Sequence, residues 1–176
     1  YMKTFDQAVY KAKERIKGRP RTVDALVLHP SGESQLATTD VHVKAFPLPA
    51  ELLPSIEKSN QKAMTDALGL QGAKAFGREY LDILMGSIIH ELSVFRALDI
   101  HISKIDYVDR WPIETKSESF VITGRTEDGV RVTIRWFYLD QYPKYQEEIR
   151  WVNEEDGHHI IFYKKPVLTN LPHCSC

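Results

Sequence analysis

His90 and Glu91 stand side by side in a stretch that is apolar nearly throughout, and Ser87 precedes His90 by three residues. A buried imidazole beside a carboxylate can transfer protons, because burial and a neighbouring charge tune both groups. In that reading His90 is the general base, Glu91 the general acid, and Arg135 holds an anionic group of the substrate. The zinc-protease pattern His-Glu-x-x-His is absent, since position 94 is Val. The competing reading is a core histidine hydrogen-bonded to backbone.

A second constellation lies further along. Trp136, Phe137, Tyr138, Tyr142, Tyr145, Trp151, Phe162 and Tyr163 fall within 28 residues, interleaved with Arg131, Arg135 and Arg150. Aromatic and arginine side chains dominate binding hot spots, and they also suit a pocket for an anionic or aromatic ligand. Arg131, Arg135, Arg150, Trp136, Tyr138 and His159 are the candidate binding residues. The leading expectation is a non-catalytic binding or interaction protein that uses this sheet face, with a basic N-terminal helix as second contact, the His90 and Glu91 enzyme being the alternative. Cross-strand aromatic packing is the alternative account of the same residues.

Charge marks a third. Lys11, Lys13, Arg15, Lys17, Arg19 and Arg21 crowd into eleven residues, with Glu14 the one acid among them. Clustered cations suit phosphate, because released counterions drive association. On a helix these residues flank the apolar stripe on both sides, which equally describes a solvated surface. The solvated surface is the favoured account, and an acidic partner or nucleic acid is the contact that the sharper reading expects. No helix-turn-helix, aromatic RNA-recognition or zinc-finger pattern accompanies the cluster.

Ile100-His101-Ile102-Ser103-Lys104-Ile105 has the pattern apolar-His-apolar-hydroxyl-x-apolar. It resembles half of the signature of the two-histidine phosphoesterases. That resemblance implies a second, facing His-x-Ser/Thr strand and a catalytic role for His101. His42-Val43-Lys44 and His159-Ile160-Ile161 are the available second copies, and both lack the hydroxyl.

His173-Cys174-Ser175-Cys176 has ligand types for zinc or copper. Its terminal position and lack of a second spaced pair argue against a resident metal. The Gly-x-Ser-x-Gly elbow and the glycine-rich phosphate loops are missing, so no cofactor is expected.

Composition bounds the rest. The chain has 176 residues, 43% hydrophobic and 27% charged, with a formal net charge of −1. Those values describe one ordinary globular domain, 1–176, with a soft internal boundary near 112. They argue against a protein living wholly on nucleic acid or membrane. Two cysteines make no disulfide framework. No apolar run approaches a bilayer span, and the expected location is the cytoplasm. A homo-oligomer is compatible with all of this.

The elements that must position these residues can be read from periodicity. Phe5, Ala8, Val9, Ala12 and Ile16 recur at helical spacing, with Asp6 or Thr4 to cap and Gly18-x-Pro20 to stop. Residues 22–28 are β-branched and apolar, and 38–46 alternate, which predicts an N-terminal hairpin. Two helices follow, over 49–68 and 73–98, separated at Gly69 and Gly72. The second is apolar on most faces and is expected to be the buried spine, with Ile83, Leu84, Ile88, Leu92 and Phe95 inaccessible. Strands are expected over 100–105, 120–126, 130–139, 145–153 and 159–164. Asp128-Gly129 suits a type I′ turn in the first of two hairpins. Helices and strands are segregated, so the class is α+β. The expected architecture is one curved antiparallel sheet, N-terminal hairpin plus C-terminal meander, on a buried central helix with an amphipathic helix at its N-terminal end.

Overall fold

The structure is a computed structural model that describes residues 2–16, 20–30, 48–112, 118–140, 142, 145–154 and 157–164. The chain divides into two compact units, Tyr1–His42 with Val94–Cys176, and Val43–Ser93. Pro112 lies inside the first unit, between two strands, and does not separate units.

The first unit begins with a 3-10 turn, Met2–Phe5, and helix α1, Gln7–Arg15. The Asp6 side chain caps α1 by accepting a hydrogen bond from the Ala8 amide at 2.7 Å, satisfying one of the free amides of the first turn. Val9 and Ala12, members of the apolar stripe, are buried, and Phe5 is exposed.

The six strands are β1 Thr22–Pro30, β2 Ile102–Trp111, β3 Ser119–Thr126, β4 Arg131–Leu139, β5 Gln146–Asn153 and β6 Gly157–Lys164; five follow the expected positions closely, and β2 starts later and runs six residues beyond the short strand expected over 100–105. They form one sheet in the order β2-β3-β4-β1-β5-β6. The α+β class holds, and the sheet is mixed: β1 runs parallel to β4, and the other four pairings are antiparallel. The expected meander is therefore interrupted, because β1 lies between β4 and β5. The physical reason is burial. Val23, Ala25 and Val27 are each 0% exposed, and a strand so buried belongs at the sheet centre with both edges paired. The second strand expected for the N-terminal hairpin, 38–46, lies outside the described residues.

Register divides the side chains into two faces. Val23, Ala25 and Val27 lie level with Val132, Ile134 and Trp136 on one side and with Trp151, Ile149 and Glu147 on the other. All of these are buried, and with Phe120 and Ile161 they form the core of this unit. Val94, Phe95, Leu98 and Ile100 complete it.

The β3–β4 turn differs from the type I′ expectation. Thr126 pairs with Val130, and only Gly129 of the three-residue loop has positive φ, at 90°. A type I′ turn needs two such residues. A three-residue loop with glycine in the left-handed position fits this backbone instead.

The second unit is helical. A 3-10 turn, Ala50–Leu52, leads into α2, Leu53–Glu79, with Pro54 in its first turn where a missing amide costs nothing. Gly69 breaks α2 into two arms by adopting φ 69°, ψ 169°, a conformation that glycine alone adopts readily. Residues Tyr80–Ile88 are π-helical, and α3, Ile89–Ala97, continues into the first unit.

The apolar stretch from 73 to 98 is not buried on most faces. Ile83, Ile88 and Phe95 are buried as expected, but Leu92 is 36% exposed and Leu84 is half-buried. Phe76 and Met85 are exposed as well. The π segment changes the angular step, so positions read at 3.6 residues per turn drift off the predicted face. Beyond the end of α3 the chain turns at Asp99, which takes φ 64°, while the Ile100 amide donates to the Phe95 carbonyl at 2.8 Å. That bond satisfies one of the free carbonyls of the last turn.

Candidate functional site

Ser87, His90 and Glu91 sit where the π-helical segment gives way to α3. Spacings of three and four residues place His90 and Glu91 one turn beyond Ser87, on its side of the helix. Ser87 is 5% exposed and Glu91 0%. His90 is half-buried and its Nδ1 atom is buried. The His90 carbonyl accepts a hydrogen bond from the Ser93 hydroxyl at 2.6 Å. A fully buried carboxylate is rare unless it is paired or used. Histidine is the side chain suited to exchanging protons near neutral pH. Both are residue types that can move a proton. Arg135 belongs to the other unit and is placed with the sheet.

The arginine and aromatic candidates separate. Arg131 and Arg135 on β4 lie on the face opposite Val132, Ile134, Trp136 and Tyr138. Arg150 joins the arginine face, level with Asp24. Arg131 and Arg125 both pair with Asp106, at 3.1 and 3.2 Å, and Arg150 pairs with Glu148. Trp136 and Tyr138 occupy the core face, and His159 stacks on Trp151 there, with ring centroids 5.1 Å apart. The alternation along β4 makes a single aromatic and arginine surface impossible, because neighbouring residues point to opposite sides.

On the arginine face Glu148 and Ser119 are buried, and exposure is greatest at the β2 edge. Leu26, Leu28, Val121, Arg135 and Phe137 are half-buried, and Tyr107 and Trp111 at the β2 edge are exposed. Trp111 meets Phe137 edge-on, with centroids 6.1 Å apart.

A cluster that composition did not single out lies on the core face. Glu147, 0% exposed, accepts hydrogen bonds from Lys3 and from the Tyr145 hydroxyl, the latter at 2.7 Å. The His29 ring lies 5.5 Å from Trp136, 6.0 Å from Tyr138 and 5.8 Å from Tyr145. The one available signal was Glu147 itself, an acid at an inward position of a strand otherwise buried at Ile149 and Trp151.

Lys11, Lys13 and Arg15 are exposed on α1, and Arg21 pairs with Glu154. Lys17, Arg19 and the Cys174 and Cys176 tail lie outside the described residues. His101 is exposed and hydrogen-bonds Asp99 at 3.2 Å. The phosphoesterase pattern needs two facing strands. β2, beside His101, and β6, which carries His159, are opposite edges of the sheet with four strands between them. His42 lies outside the described residues.

Among the described residues, no group of three or more His, Cys, Asp or Glu could hold a metal ion, and no helix is long and apolar enough to cross a membrane. Comparison with protein-family models, curated proteins and solved structures finds no match to the chain.

Proposed function

We propose that this protein acts on a small molecule by proton transfer, with His90 as the base and Glu91 as its acidic companion. The π-helical segment that ends beside them carries the reading. Nine residues, Tyr80–Ile88, are wound this way. Such windings are rare, usually single-turn, and concentrate at functional sites. The burial of Ser87 and Glu91 supports it, since a polar group is retained in such a place when it is paired or used. His90 ring-nitrogen NMR across about pH 5–8 tests the reading. The ring is expected to titrate, with a midpoint that moves in Glu91→Gln. A ring silent across that range in the folded protein overturns it.

A second reading is an interaction protein that uses the β2 edge of the arginine face. Arg125, Arg131 and Arg150 are already paired within the chain, so apolar contact through Tyr107, Trp111 and Phe137 would dominate. That favours a protein partner over a small anion. That edge should then bind an apolar dye, and Trp111→Arg with Phe137→Arg should abolish the signal. Failure of the native protein to bind the dye removes this reading.

A further inference from the structure

Beside His101 the sheet unit contains a cavity of about 860 Å³ that the proposed chemistry at His90 does not use. Its volume falls within the range of small-molecule sites. The lining has two parts. Ile16, Pro20, Leu98, Ile100, Ile102 and Val130 supply apolar surface, and Leu98, Ile100 and Val130 among them belong to the buried core. Asp99, Glu127 and Asp128 contribute carboxylates, with His101, Ser103 and Thr126 as further polar groups.

Each part is fixed by local structure. The left-handed backbone at Asp99, beyond the end of α3, turns the chain into β2, which sets Asp99 and His101 on the cavity wall. The three-residue loop between β3 and β4 carries Glu127 and Asp128, and Thr126 anchors it by accepting a hydrogen bond from the Val130 amide at 3.0 Å. Thr126 also donates to Asp128.

We propose that this cavity binds an amine that carries an apolar group. The apolar part covers Ile100 and Val130, and the ammonium faces the carboxylates of Asp99 and Glu127. Among the described lining residues there is no lysine or arginine, and the one basic group is His101, which hydrogen-bonds Asp99 at 3.2 Å and leaves Glu127 and the second Asp99 oxygen to face the amine. An anionic ligand of the same shape would meet repulsion, so discrimination by charge is the signature.

The probe is 2-phenylethylamine, with 3-phenylpropionate as the anionic counterpart of similar size, followed by amide chemical shifts of the native chain. The amine should give saturable shifts at Asp99, His101 and Val130, and the carboxylate should give none. Asp99→Asn with Glu127→Gln should weaken amine binding about tenfold or more, the effect of losing charge-assisted contacts. Asp99 is exposed and Glu127 lies in an exposed turn, so the variant keeps its fold. His90→Gln should leave amine binding unchanged, which separates this site from the one proposed above. Equal binding of the carboxylate, no saturable shift with the amine, or unchanged affinity in the double variant overturns the proposal.

Discussion

Gly124 on β3 lies directly against the backbone of Lys104 on β2: a Cβ at position 124 would stand 2.6 Å from the Lys104 carbonyl oxygen. The contact falls where the β2–β3 register slips, between Ile102 and Lys104 and again between Ile105 and Tyr107. The irregular edge strand therefore depends on a position without a side chain. Gly124→Ala must displace backbone, since the atom it meets is not a flexible side-chain end. The expected loss is about 1–3 kcal/mol, measured by urea unfolding. Hydrogen exchange should rise first in β2, the edge strand. A stability equal to the native chain would show that β2 moves aside freely.

Ile88 and Leu92, one turn apart, should respond unequally. Ile88 is 1% exposed and Leu92 36%. Ile88→Ala should cost about 2–5 kcal/mol through lost transfer energy and a cavity. Leu92→Ala should cost less than about 1 kcal/mol, because much of its surface already meets water. Equal losses in denaturant titration would contradict the burial pattern along this helix.

Lys3→Met should destabilise the chain by about 3 kcal/mol, because Glu147 would remain buried without its cation. Glu147→Leu in the same background should recover part of that loss, since no unpaired charge then remains. A thermal-unfolding series of the two single variants and the double variant checks this. Strict additivity would show that the two side chains do not interact.

Lys11, Lys13 and Arg15 project from the exposed side of α1, away from the buried Val9 and Ala12. Their combined replacement by Gln should change stability by no more than about 0.5 kcal/mol. Loss of α1 by circular dichroism would show that these side chains hold the helix rather than coat it.

Much of the fold is legible in the residues themselves. The Asp6 cap, the break at Gly69, the left-handed Gly129 and five of the six strands follow from local chemistry, because backbone preference and period act over a few residues. His90 and Glu91 were likewise visible as types at a spacing. What the chain cannot show locally is which strands become neighbours. The insertion of β1 between β4 and β5, parallel to one and antiparallel to the other, joins residues more than a hundred positions apart. Only the competition among strands for two paired edges and a shared apolar face decides it. The same long-range pairing brought Lys3 to Glu147 and walled the cavity beside His101. The π-helical winding is the remaining case. An apolar stretch reads the same at 3.6 residues per turn as in a wider helix, so its exposed Phe76, Met85 and Leu92 emerged only with the tertiary structure.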